Sequence, residues 1–77
     1  MKVNIILFGQ LVDITGVDSF VMEDTFDTNC LVISLQKSYP AIMNAKYLIA
    51  VDKKVIEKNT LLPDNCTVAL LPPFSGG

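Results

Sequence analysis

Asp27-Thr28-Asn29-Cys30-Leu31-Val32-Ile33-Ser34-Leu35-Gln36-Lys37-Ser38-Tyr39-Pro40 is the stretch that decides how this 77-residue chain folds. Leu31, Leu35 and Tyr39 recur every four residues, which places them on one stripe of an amphipathic α-helix. Asp27 precedes the stripe, where a carboxylate accepts a hydrogen bond from an otherwise unpaired backbone N–H of the first turn. Pro40 ends it, because the residue before a proline is pushed out of the α region, and Lys37 lies in the last turn, where a cation suits the helix dipole.

The segments around this helix read as extended. Val3 to Phe8 is rich in β-branched and aromatic residues, with Val3, Ile5 and Leu7 on one face and Asn4, Ile6 and Phe8 on the other, and it predicts a largely buried strand. Leu11 to Thr15 is too short to assign. Gly16 offers a positive φ before a second strand, Val17 to Glu23, in which Phe20 and Met22 alternate with Val21. A hairpin is the simplest pairing of these two strands. Tyr47 to Val51 predicts a third strand, Asp52-Lys53-Lys54 a polar turn into a short Val55-Ile56 segment, and Leu61-Leu62-Pro63-Asp64-Asn65 a turn in which Asn65 tolerates the left-handed region. Thr67 to Leu71 predicts the last strand, ended by Pro72-Pro73. Phe8 and Leu71 are read first as core.

One helix between a hairpin and the later strands gives an α+β fold, a mixed sheet of about four to five strands with the main helix packed on one face. A right-handed crossover would then set the first and last strands side by side as a central parallel pair, a pairing taken partly from analogy with known folds of this element order. That is the β-grasp, or ubiquitin-like, arrangement. The expected division is a β-grasp domain over 1–71 and a projecting tail over 72–77.

Composition narrows the function. A chain this short holds one core and leaves no room for a deep enzymatic cleft. With 51% hydrophobic residues it has more apolar side chains than so small an interior absorbs, so part of the excess is expected on the surface as a partner-binding area. Six lysines and arginines against eight acidic residues leave a net charge of -2, which gives no basic footprint for nucleic acid. There is no histidine, and Cys30 and Cys66 are the only thiols, so Cys and His cannot complete a zinc site and imidazole acid–base chemistry is ruled out. The two cysteines are expected to be buried intracellular thiols; their spacing is not that of a CxxC pair. The N-terminal apolar run is brief and no small-residue cleavage site follows it, and no run is long enough to span a membrane; a cytoplasmic protein is expected.

The chain ends Leu70-Leu71-Pro72-Pro73-Phe74-Ser75-Gly76-Gly77. At about 7% glycine usage, two terminal glycines arise by chance in roughly 0.5% of chains. Pro72-Pro73 leaves the strand along a stiff extended path, and Gly76 and Gly77 have no Cβ to crowd a narrow channel. Such a thread presents an unhindered carboxyl group, inert until it is converted to an acyl adenylate that a nucleophile can attack. No GxxxxGK[ST] phosphate loop is present, so the activating ATP has to be handled by another protein.

On these residues the chain resembles the small, sulfur-carrying subunit of molybdopterin synthase. The likeness runs from the Val3-to-Phe8 strand through the Asp27-capped helix, Tyr39-Pro40, Ile49-Ala50-Val51 and Asp64 to Ala69, and it is most specific in the Pro-Pro-x-x-Gly-Gly ending. The resemblance implies that Gly77 is adenylated by a ubiquitin-activating-like enzyme and sulfurated by a sulfur donor protein to a thiocarboxylate. It further implies that Pro72, Pro73, Phe74, Ser75 and Gly76 thread this group into the large subunit of the synthase, in a heterotetramer, for transfer to the cyclic pterin precursor of the molybdenum cofactor. The chain itself would be no enzyme, would hold no permanent cofactor or metal, and would engage neither nucleic acid nor membrane. Phe74 is the expected apolar anchor of the tail, and the sheet face away from the helix the expected docking area. Two departures from similar chains stand out: Asp64-Asn65-Cys66-Thr67 where Asp-Gly-Asp-Glu is common, and Asp52 where Asn is common. Other readings are a thiamine-thiazole sulfur carrier or a ubiquitin-like protein modifier, against which Pro72-Pro73 weighs, and a plain β-grasp interaction module with an idle tail.

Overall fold

Alternation along the first strand decides which side of the sheet becomes core. In the computed structural model, which describes residues 2–73, strand β1 (Lys2–Leu7) buries Val3, Ile5 and Leu7 and leaves Asn4 and Ile6 half-buried on the other side. Helix α1 (Gln10–Thr15) follows, then β2 (Ser19–Glu23), α2 (Thr28–Ser38), a 3-10 helix (Pro40–Asn44), β3 (Leu48–Val51), β4 (Lys54–Ile56) and β5 (Cys66–Leu71).

The five strands form one sheet in the order β2-β1-β5-β3-β4. β1 and β5 are parallel, with Val3 opposite Cys66 and Leu7 opposite Leu70, while the β1–β2, β3–β5 and β3–β4 pairs are antiparallel. This is the expected β-grasp sheet, with the first and last strands at its centre. α2 supplies Leu31 and Leu35 to a core that also holds Val3, Ile5, Leu7, Val68 and Leu70, closed by Leu11, Ile42 and Leu62. Full burial of each such side chain contributes about 1.5–3 kcal/mol.

The start of α2 is held from two directions. Asp27 accepts a hydrogen bond from the Cys30 N–H at 2.8 Å, as expected of its cap. Across from it the Asn59 Oδ1 accepts from the Asn29 N–H at 2.9 Å and from the Thr28 hydroxyl at 3.1 Å, so two of the unpaired N–H groups of the first turn are satisfied. Two hydrogen bonds favour the ionised Asp27 carboxyl: the Cys30 N–H first, then the Asn59 side-chain amide at 3.2 Å, hold it below its ordinary range. At the other end Tyr39 packs its ring against Phe20 of β2, with centroids 5.9 Å apart.

Several expectations need correction. The second strand begins at Ser19 rather than Val17, because the Thr15 hydroxyl accepts from the Val17 N–H and holds that residue in the turn. The stretch too short to assign is α1, ended by Gly16 at φ 79°. The 3-10 helix after Pro40 was not anticipated. Phe8 is not core but 44% exposed: its phase in the strand points it away from α2, and the chain turns at Gly9 directly afterwards. Leu71 is half-buried for the same reason of phase. Of the two thiols only Cys66 is buried; Cys30 is exposed in the first turn of α2, and neither is in a disulfide.

Candidate functional site

β5 is the element that carries the chain toward the tail, and it is the central strand of the sheet. It has a partner on each side, and its alternation buries Cys66, Val68 and Leu70 toward α2. Its entry is held by turn residues with positive φ. Asn65, at φ 67°, donates its N–H to the Lys2 carbonyl at 2.7 Å, the left-handed role expected of it. Asp52, at φ 47°, exchanges two hydrogen bonds with Thr67, donating its N–H to the carbonyl at 2.8 Å and accepting the Thr67 N–H on its carboxylate at 2.9 Å. An asparagine there would offer the same acceptor to the Thr67 N–H. Cys66 fills a core position, and burial, followed by the nearby Asp52 charge, pushes its thiol up from the ordinary value.

The exit of β5 contrasts with this entry. The Phe8 N–H reaches the Leu70 carbonyl at 3.2 Å, and beyond it Pro72 and Pro73 are exposed. Pro72 has no N–H to extend a ladder. Its ring lies instead beside Gly9, where a Cβ would stand 2.8 Å from the Pro72 Cγ. Of the expected tail residues, Pro72 and Pro73 are thus placed together at the C-terminal end of the central strand. Phe74, Ser75, Gly76 and Gly77 lie outside the described residues.

Next to this exit is the sheet face that α2 does not cover. Register places Ile6, Ala69, Leu71 and Leu48 there, and Ala50 opposite Ala69. Phe8, Leu48 and Val55 are 44%, 39% and 55% exposed, so the face is apolar and open. Ile6, Phe8, Thr67 and Ala69 line a groove of about 400 Å³ across it, with Asp52 and Lys53 at the rim. A second groove of similar volume between α2 and the β3–β4 hairpin is lined by Asn29, Glu57, Lys58 and Asn59 together with apolar residues that include Leu48, a more polar set overall. The surface excess of apolar residues expected from composition is thus partly gathered on one face. Single residues of this face, Phe8 and Leu48 in particular, were not picked out from sequence; the usable signal was that both faces of the Val3-to-Phe8 segment are largely apolar. The Gly9 contact with Pro72 carried no sequence signal.

Among the described residues no group of three or more His, Cys, Asp or Glu side chains is placed to hold a metal ion, and no helix is long and apolar enough to cross a membrane. What the described residues offer here is a surface and a strand exit.

Comparison with known proteins agrees with this picture. In a solved complex of subunits 1 and 2 of the molybdopterin-converting factor from Helicobacter pylori, one chain is 28% identical, is covered over its full length and superposes with a TM-score of 0.75 over all of this chain. A protein described as molybdopterin converting factor, subunit 1, from Pyrococcus furiosus shares 21% identity over 96% of this chain and 99% of its own, with a TM-score of 0.86. The small archaeal modifier protein 1 from Methanosarcina acetivorans shares 23% identity over 99% of this chain and 96% of its own, with a TM-score of 0.83. The last two likenesses speak for the fold. The model of the ThiS family matches residues 5–77, and the chain therefore belongs to the ThiS family of ubiquitin-like sulfur carriers.

Proposed function

We propose that this protein is the sulfur-carrier subunit of a molybdopterin synthase. The observation that carries the reading is the strand exit: the central strand β5 runs into exposed Pro72-Pro73, ahead of Phe74-Ser75-Gly76-Gly77, beside an open apolar sheet face. The full-length match to one chain of the H. pylori two-subunit complex supports a large-subunit partner. In this reading residues 1–71 are the gripping domain and 72–77 the delivery arm.

The chemistry belongs to the Gly77 carboxylate. It attacks the α-phosphorus of ATP held by a ubiquitin-activating-like partner and expels pyrophosphate, giving an acyl adenylate. Sulfide-level sulfur from a donor protein then attacks the acyl carbonyl, forming the C–S bond as the bond to AMP breaks, and loss of its proton leaves a thiocarboxylate. Sulfur is softer and more nucleophilic than the carboxylate oxygen, and the bound carrier hands it to the cyclic pterin precursor without release to solvent. The missing Cβ atoms of Gly76 and Gly77 let the arm enter a narrow channel, and Phe74 anchors it. The chain supplies no catalytic side chain; those lie on the large subunit, in a heterotetramer of two small and two large subunits in the cytoplasm.

Intact-mass measurement after co-expression with the adenylating enzyme and a sulfur donor tests this. Gly77 is expected to gain the mass difference between sulfur and oxygen, and a chain that never gains it rules out the carrier role. Incubating the sulfurated form with each candidate acceptor separates a molybdopterin carrier from a thiamine-thiazole carrier. A ladder of conjugates to lysines of other proteins identifies a modifier instead.

A further inference from the structure

We propose that Gly9 is a positioning residue for the tail: it seats the Pro72 ring and so sets the direction in which the C-terminal arm leaves the domain. The proposal rests on the carrier reading for its consequence, but its geometry stands alone.

Up to Leu71 the path of the chain is set by the sheet ladders: the Phe8 N–H on the Leu70 carbonyl is the last tie to β1 at this end, and Leu71 still pairs with Leu48 of β3. Past that point Pro72 can donate nothing, and a proline followed by another proline is a stiff unit that transmits its starting direction outward. Its direction is therefore set by packing. A neighbour that lies against it is Gly9, at φ 60° and ψ -137°, a conformation open to glycine and strained for residues with a Cβ. A Cβ there would meet the Pro72 Cγ at 2.8 Å, closer than carbon atoms approach, with Pro72 Cδ and Cβ next at 3.7 and 3.8 Å. Pro72 would have to swing away. Gly9 is itself held in place, since its carbonyl accepts the Val12 N–H at 3.1 Å as α1 begins.

Gly16 provides the control built into the same molecule. It also has a positive φ, 79°, but nothing lies within 4 Å of a Cβ added there. Gly16→Ala therefore strains the backbone at the other end of α1 without touching the tail.

The experiment uses the full chain and two readouts. In the wild-type protein a nuclear Overhauser contact between the Gly9 α-protons and the Pro72 γ-protons is expected, and in Gly9→Ala the Pro72 resonances shift while those of the core are kept. In steady-state pyrophosphate exchange with the adenylating enzyme, Gly9→Ala is expected to lower kcat/KM for the carrier by about tenfold or more, the scale of a misplacement on the order of 1 Å. Gly16→Ala is expected to hold kcat/KM near wild type even where its melting temperature falls. Equal losses in both variants, an unchanged kcat/KM in folded Gly9→Ala, or no Gly9–Pro72 contact in the wild type overturns the proposal. If the wild type supports no exchange at all, the carrier reading falls, and the seat is decided by the resonance contact alone.

Discussion

The two faces of this sheet are made by the same strands, one residue out of step, and they do different work. Toward α2, Val3, Ile5, Leu7, Val68 and Leu70 are at most 2% exposed. Away from it, Ile6, Ala69 and Leu71 are half-buried and Phe8 and Leu48 are open, although their side chains are as apolar as those of the core. Hydrophobicity alone does not separate the faces. What separates them is that one main helix covers one side only, so the second face stays open.

Neighbouring isoleucines break the comparison most sharply. Ile5→Ala is expected to cost about 3–4 kcal/mol, as for a fully buried residue whose cavity cannot collapse in a central strand, whereas Ile6→Ala costs about 1 kcal/mol or less. Denaturant midpoints measure both, and equal losses would show that the open face is part of the core.

Charge on the open face should reverse the pattern. Phe8→Asp or Leu48→Asp leaves the melting temperature near wild type but weakens association with the large subunit by about 2 kcal/mol, as for an apolar anchor near the middle of an interface. Titration calorimetry reads this directly. Unchanged affinity in both variants would move the docking surface elsewhere.

The turn at the rim offers a smaller effect. Asp52 and Lys53 both have positive φ, 47° and 74°. Relief of the left-handed strain in Lys53→Gly, roughly 1–2 kcal/mol, outweighs the added freedom of an unfolded glycine, on the order of 0.4–1 kcal/mol, so a net gain of about 0.5 kcal/mol is expected. Asp52→Asn, which keeps the acceptor for the Thr67 N–H, is expected to be close to neutral.

The smallest effect is set by pH. The Asp27 carboxyl titrates below its ordinary range in the folded chain, so its contribution is present above about pH 3.9, the unfolded value, and is lost as pH falls through the lower folded value. The stability difference between wild type and Asp27→Asn should therefore narrow on acidification through this range, measured by thermal melts at each pH. A constant difference would mean that the cap acts without its charge.

The elements that could be read from sequence are those whose ends carry chemistry. α2 has Asp27 at its start and Pro40 after its end, and β5 is framed by Asn65 and Pro72, so both were placed to within a residue or so. α1 is marked at its end alone, by Gly16: Gly9 at its N-cap offers no side chain to cap it, it is six residues long, and Leu11 is its single buried residue. Phe8 was misplaced because an aromatic residue in a strand suggests core, and only the topology reveals which face lacks a cover. The contact of Gly9 with Pro72 joins residues far apart in the chain and follows from the parallel β1–β5 pairing, which no local pattern encodes.

The central parallel pair also determines how the domain bears tension. A pull on the tail acts along β5, roughly across the hydrogen bonds that join it to β1 and β3. Those bonds are stressed together, as in a lap joint, rather than one at a time as when a hairpin is peeled from its end. An edge strand would have a partner on one side only, whereas β5 is gripped on both. A partner that draws the arm into a channel can thus haul on it while the domain stays folded, and the hold ends where Leu71 gives way to Pro72.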